Sequence, residues 1–392
     1  MPGSQKNIRP IAIHLPQFHP IPENDEWWGK GFTEWTNVVK ARPLYKGHYQ
    51  PHLPADLGFY DLRLPEARQA QADLAKQYGI YGFCYYHYWF NGRRVLERPV
   101  NDILESGKPD FPFMLCWANE NWTRVWDGGE QHILLEQVYS AEDDLNHIRA
   151  LIPFFKDARY IKIDGKPVFA IYRSTVFPDI RQTIRTWREE ASKHNLELYL
   201  CRFESSGVAG KEYMTGFDAA IEFQPQVKSN EPEKISTLKD EISLRNIQRS
   251  IAFRTKRLIN NPGETIGLKQ KPQLKGSVAP YKDYVEGGIQ RYNTPIDYKL
   301  FRSVCPGWDN SSRRKNGYAI LDGSTPELFE SWIKGALRNF EPYSSEENLF
   351  FINAWNEWAE GNHLEPCQKW GRAYLEAFKK GISSLSRGIQ DR

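Results

Sequence analysis

The stretch FFINAWNEWAEG (350–361) begins like a buried strand, with Phe350, Phe351 and Ile352 in succession. Within a few residues it presents Asn353, Trp355, Asn356, Glu357, Trp358 and Glu360. Two carboxylates beside each other are what acid–base chemistry requires, one to take a proton and one to give it. Indoles beside amides suit a sugar, whose C–H faces lie on aromatic rings while its hydroxyls need paired donors and acceptors. A Glu-x-x-Glu spacing is common on solvated helices. The indoles, the asparagines and the position where an apolar run ends set this one apart. If the segment after the run is helical, residues three apart share a face, and both carboxylates meet one substrate from the same side. That geometry departs from the ordinary glycosidase arrangement, in which two carboxyl groups flank the scissile bond. Glu357 and Glu360 are therefore the candidate catalytic pair.

Such a pair needs a strand end to hold it. Eight apolar runs read as strands: 11–18, 79–89, 111–119, 167–173, 196–204, 217–225, 301–309 and 349–358. Several are continuous rather than alternating, as in parallel strands covered on both faces. Between them, 65–79 opens on a proline and closes on a glycine, with Ala67, Ala70 and Leu74 on one helical face. Segments 141–157, 179–195, 240–259 and 326–340 are also helix-like. The alternation predicts an α/β fold, a (β/α)8 TIM barrel. It is read as a single catalytic domain over 1–392, with long βα-loop excursions at about 19–64 and 226–300. A doubly wound open sheet is the alternative, and no glycine-rich phosphate loop follows any run.

A barrel gathers its reactive groups at the C-terminal strand ends and in the loops beyond. The first run is followed by His19, with Trp35 in the excursion after it; the second ends in His87 and Tyr88. The third leads into Trp117, Asn119, Glu120, Asn121, Trp122 and Arg124, with Trp126 just beyond. Arg173 closes the fourth run, Glu222 lies in the sixth, and Trp308 and Asp309 end the seventh. The eighth adds Trp355, Asn356 and His363. All of these are candidate substrate-binding residues, because buried Glu, Asn and Arg are costly unless satisfied and a core alone does not need them. The plainer reading of any one member is packing for a Trp, or a carboxylate partner for Arg173.

Composition narrows the classes. Hydrophobic and charged shares of 40% and 26% are those of a globular protein, and the aromatic share of 14% includes 13 Trp and 20 Tyr. Five scattered cysteines without a CxxC pair argue against a disulfide framework and against a zinc site; neither metal nor cofactor is expected. MPGSQKNIRP has no apolar segment of the signal-peptide kind, and no run approaches the length of a membrane span, so the expected location is cytoplasmic. The net charge of +3 hides a basic block, since 228–282 holds 12 Lys/Arg against 5 Asp/Glu. A solvated face is its ordinary reading. A peripheral membrane or other anionic contact is the functional one, with no nucleic acid expected.

The stretches 15–38, 47–63, 82–99, 111–128, 306–314 and 354–366 together resemble the WbsX-type, family-99-like glycoside hydrolases, relatives of the endo-α-mannosidases. The resemblance covers nearly the whole chain and is weakest over 226–300. It implies a (β/α)8 barrel and retaining, metal-independent hydrolysis of α-mannoside-like linkages in a poly- or oligosaccharide. In the endo-α-mannosidases a WNEWHE-like motif supplies both carboxylates, and carried onto WNEWAE here the resemblance implies two roles. Glu357 is the base toward the sugar 2-OH, which closes a 1,2-anhydro ring, and Glu360 is the general acid/base. Ala359 stands where the mannosidases tend to have His, so the sugar itself does not carry over. The expected function is an endo-acting hydrolase of a bacterial surface polysaccharide bearing a mannose- or rhamnose-like sugar. A glycosyltransferase of O-antigen or capsule assembly is the alternative, although no convincing DxD site stands at a strand end, and a carbohydrate-binding protein is the third reading.

Overall fold

The computed structural model describes residues 8–124, 129–205, 207–225 and 275–387. The helix expected at 240–259, most of the basic block 228–282, and Trp126 lie outside the described residues.

Eight parallel strands form the barrel: β1 (Arg9–His14), β2 (Gly82–Phe90), β3 (Phe113–Trp117), β4 (Lys166–Ile171), β5 (Tyr199–Glu204), β6 (Ala219–Glu222), β7 (Leu300–Phe301 and Ser303–Val304) and β8 (Leu349–Ile352). Neighbours in sequence are neighbours in the sheet, and β1 pairs with both β2 and β8. Closure falls at β7. Its first half pairs with β6, Leu300 opposite Ala220, and its second half with β8, Val304 opposite Ile352. The step between the halves is held by Glu222, whose carboxylate accepts the Ser303 N–H at 3.0 Å. Every residue of β2, β3, β5, β6 and β8 is buried, which is why their sequences are continuous apolar runs rather than alternations.

The expected helices that fall on described residues are present and locally encoded. Pro65–Gln77 and Pro326–Leu337 open on proline, whose missing N–H is no loss in a first turn. Ala141–Lys156 is capped by Ser140, which accepts from Asp143 N at 3.1 Å, and Ile180–Ser192 by Asp179. Trp187 and Trp332, fully buried, anchor Ile180–Ser192 and Pro326–Leu337. The 301–309 run is shorter as a strand than expected. The chain leaves the barrel after Val304, and Trp308–Asp309 pairs antiparallel with Ala319–Asp322 in a separate small sheet. The excursion after β1 carries two short helices, Pro22–Trp28 and Glu34–Lys40. Another, after β3, forms a hairpin of Trp122–Arg124 with Gly129–Leu135. All five cysteines are free and buried. Among the described residues no helix is long and apolar enough to cross a membrane.

Candidate active site

Beyond β8 the chain makes a tight excursion. Asn356–Glu357 pairs antiparallel with Asn362–His363, and Trp358–Glu360 between them forms a single 3-10 turn. The α-helix considered for this segment is therefore absent. Gly361 closes the turn at φ +57°, where an added Cβ would sit 3.0 Å from Asp309 Cβ. Buried polar bonds fix the turn from beneath. The Asn356 side chain accepts from Leu15 N (2.7 Å) and donates to Leu15 O (3.0 Å), which ties the excursion to the end of β1. The Trp358 indole donates to Glu365 Oε2 (2.6 Å), and Glu365 also accepts from Tyr60 Oη (2.8 Å) and Gln71 Nε2 (2.7 Å). Burial pushes the Glu365 carboxyl up to about 7. The Trp358 ring stacks on His363 at 3.7 Å and 14°.

Glu357 and Glu360 share one cation. Arg313, in the loop after β7, donates through Nη2 to Glu357 Oε2 (2.9 Å) and through Nη1 to Glu360 Oε1 (2.9 Å). The same Nη2 donates to Glu34 Oε1 (2.7 Å), and Glu34 has no solvent exposure. Burial, joined by the charges of Glu360 and Glu34 and opposed by Arg313, holds Glu357 well above the usual carboxylate range. Burial also raises Glu360, against the pull of Arg313 and with Glu34 adding to the rise. Burial disfavours the Arg313 charge, but Glu34, Glu360 and Glu357 outweigh it and keep the guanidinium protonated. A pair of raised carboxyls on one guanidinium can hold a proton on one member and a charge on the other.

The pair opens into a cavity of about 790 Å³ at the C-terminal mouth of the barrel. Of the residues expected at the site, it is lined by Tyr88, Asn119, Glu120, Asn121, Trp122, Trp308, Glu357 and Glu360. Trp27, Trp28, Tyr86 and Tyr172 extend its aromatic wall, with Trp122 set edge-on to Trp27 (5.9 Å) and to Tyr88 (5.2 Å). Asn119 is spent on structure, since it binds the Arg173 backbone at both N (2.8 Å) and O (2.9 Å). Glu120 pairs with Arg173 at 2.6 Å near the rim. Arg124 lies over the Trp28 ring at 5.6 Å.

Other expected residues lie elsewhere. Trp355 is fully buried against Phe83, and Trp35 packs on Phe18, Tyr60 and Trp358 with its indole bonded to Tyr60 O (2.9 Å). Asn356 is buried under the turn, and Glu222 is committed to β7. His19 is buried outside the cavity lining, and burial lowers it to about 4. Asp309 and His363 line a separate cavity of about 130 Å³ on the far side of Trp308. There His48 Nε2 meets Asp309 at 2.7 Å and Gln50 donates to it at 2.6 Å, and these bonds outweigh burial and hold Asp309 below its usual range. Glu34, Arg313 and Trp27 were not singled out from the sequence, although all three stand inside the stretches that carry the family resemblance.

Trp117 and His87 face away from the cavity. His87 Nε2 lies 2.9 Å from His147 Nε2, and the His147 ring packs against those of Trp89 and Trp117. Burial drives both imidazoles well below 6.5, so the native state keeps them neutral while the unfolded chain protonates them. Stability tied to the pair is therefore complete above pH 6.5 and is lost as pH falls below it, by about 1.4 kcal/mol per imidazole per pH unit. Urea denaturation of the wild type and of His87→Gln/His147→Leu at pH 7 and pH 5 checks this. The wild type is expected to lose ground to the double variant on acidification; parallel behaviour would remove the assignment.

The family model described as Glycosyltransferase WbsX matches residues 10–378. The WxcX protein of Xanthomonas campestris pv. campestris, from two strains, is 37% identical over 376 residues, 95% of this chain. The chain spans about half the length of these curated relatives, 49%. Among solved structures, a glycoside hydrolase-like protein aligns with a TM-score of 0.56 at 14% identity, over 96% of this chain and 94% of that one. The GH99 endo-alpha-mannosidase from Bacteroides thetaiotaomicron aligns with a TM-score of 0.53 at 12% identity, over 98% and 99%. At such identities these alignments speak for the (β/α)8 barrel.

Proposed function

The chain belongs to the WbsX family, and from that premise we propose that it is a retaining glycoside hydrolase, endo-acting on a bacterial surface polysaccharide. The observation that carries this reading is the placement of Glu357 and Glu360 on adjacent nitrogens of Arg313, at one end of an aromatic-walled cavity. Two carboxyls approaching from one side do not flank a bond, so the nucleophile comes from the substrate. A sugar whose 2-OH lies trans to the leaving group, as in an α-mannoside or α-rhamnoside, supplies it.

In the first step Glu357 takes the 2-OH proton, O2 bonds to C1, and the C1–O bond breaks with the Glu360 proton going to the leaving oxygen. In the second, water attacks C1 and gives a proton to Glu360, while O2 leaves C1 and recovers its proton from Glu357. C1 inverts twice, so its configuration is retained. The step requires Glu357 ionised and Glu360 protonated at the outset; burial raises both carboxyls, which allows one proton to stay on the pair. Trp122, Tyr88 and Trp308 are proposed as sugar-facing surfaces, with the chain acting as one catalytic domain.

The test is incubation with a panel of mannose- and rhamnose-containing surface polysaccharides, with products followed by mass spectrometry and anomeric NMR. Oligosaccharides of retained configuration are the expected result; an inverted anomer would overturn the mechanism. The family description favours a second reading, transfer to another sugar. An acceptor hydroxyl replacing water in the second step gives that outcome without new residues. Turnover of a nucleotide sugar, with no polysaccharide cleaved, would establish transfer over hydrolysis.

A further inference from the structure

Glu34 is a carboxylate that the proposed chemistry does not use. It stands at the first position of helix Glu34–Lys40, completely buried, with its backbone N–H on Gln17 O at 3.0 Å. Oε1 accepts from Arg313 Nη2 (2.7 Å) and from Ala359 N (3.0 Å), the residue just before Glu360. Oε2 is buried without a protein partner. It thereby joins three excursions, those following β1, β7 and β8. A glutamine could accept the same two hydrogen bonds through its amide oxygen without burying a charge, and burying a half-paired carboxylate is unfavourable. The charge itself is what needs a use.

Charge counting supplies one. Arg313 facing Glu357 and Glu360 alone would favour ionisation of both. With Glu34 added, full ionisation would leave three negative charges on one positive charge in a buried cluster, and one retained proton relieves it. Other groups acting on the pair include Tyr86 and Tyr88 toward Glu357, and Arg314 and Glu120 toward Glu360. Glu34 bonds both Arg313 and the backbone of the Glu360 turn.

We propose that Glu34 is a positioning residue of the reaction, which anchors Arg313 and the 358–360 turn and keeps one proton on the Glu357/Glu360 pair at neutral pH. This rests on the reading of that pair as the acid and base, and the test separates the two. Wild type, Glu34→Gln, Glu34→Asp and Glu360→Gln are compared in two measurements. One is the pH profile of cleavage of methyl α-mannotriosides and α-rhamnotriosides. The other is the infrared absorption of protonated carboxyl groups against pH, which needs no substrate.

Glu34→Gln is expected to move the alkaline limb of the profile about 1–2 pH units toward acid. The protonated-carboxyl band absent from Glu360→Gln should move with it, and Glu34→Asp should stay closer to wild type. An unchanged profile or band in Glu34→Gln, with or without a loss of thermal stability, would reduce Glu34 to a structural role and overturn the proposal. Should Glu34→Gln not fold, the wild type still decides: lack at pH 7 of a carboxyl band that Glu360→Gln removes has the same force. If no glycan is cleaved while the band behaves as expected, the hydrolase reading fails and the Glu34 proposal stands as a statement about the cluster.

Discussion

Glu360→Gln is expected to lower kcat/KM on an unactivated glycoside by about 10²–10⁴-fold, the usual contribution of a positioned proton donor. Glutamine keeps the size of the side chain and can still accept from Arg313 Nη1, so the turn should persist and the loss should be chemical. The expectation sharpens when the leaving group is changed. A glycosyl fluoride needs little protonation as it departs, so Glu360→Gln should recover most of its first-step rate on such a donor. Glu357→Gln should lose a similar factor on both donors, because the 2-OH must surrender its proton whatever leaves C1. Rates on methyl glycosides and glycosyl fluorides, for both variants, check the two roles. Equal recovery of both variants would overturn the role of Glu357 as base, and full activity of both on the glycoside would discard the pair.

The barrel was legible because parallel strands are buried on both faces, so each of the eight announced itself as an apolar run. Boundaries were less legible where one residue type serves two purposes. FRSVCPGWD reads as one continuous segment, yet β7 breaks at Arg302, and Trp308–Asp309 belongs to another sheet. Apart from the seventh, the strand ends carry the expected polar and aromatic residues, but side chains alternate along a strand with period two. In β2, Tyr86 and Tyr88 line the cavity, while His87 and Trp89 point out to His147 and Asp143 on helix Ala141–Lys156. Applying that alternation to the run would have separated His87 from Tyr88. Arg313 and Glu34 offered no comparable signal. They stand 44 and 323 residues from Glu357 in the chain, by subtraction of their numbers, and a local pattern does not reveal that an arginine after β7 will meet carboxylates from two other loops.

That long-range meeting makes Arg313 a residue whose loss should harm the fold severely. Arg313→Leu leaves Glu34, Glu357 and Glu360 facing one another without a counter-ion in a site whose members are buried or nearly so. Removing one partner of a buried charge cluster typically destabilises by about 3–5 kcal/mol. The sign of the pH dependence follows from the carboxyls. Without the guanidinium, Glu357 and Glu360 are raised further above their unfolded value of about 4.5, so the native variant binds more protons than the unfolded chain and regains stability as pH falls toward that value. The gap between wild type and Arg313→Leu should therefore be widest near neutrality and narrow on acidification, read by urea denaturation at pH 7.5 and pH 5.5. Arg313→Lys tests whether charge alone suffices. An ammonium is a point charge without the planar fork that serves three carboxylates at once, so it should restore part of the stability and little of the activity. Glu34→Gln/Arg313→Leu should be more stable than Arg313→Leu alone, because one of the stranded charges is gone. If the double variant instead lost the sum of the two single losses, the residues would not be coupled, and the shared-guanidinium account of the site would fail.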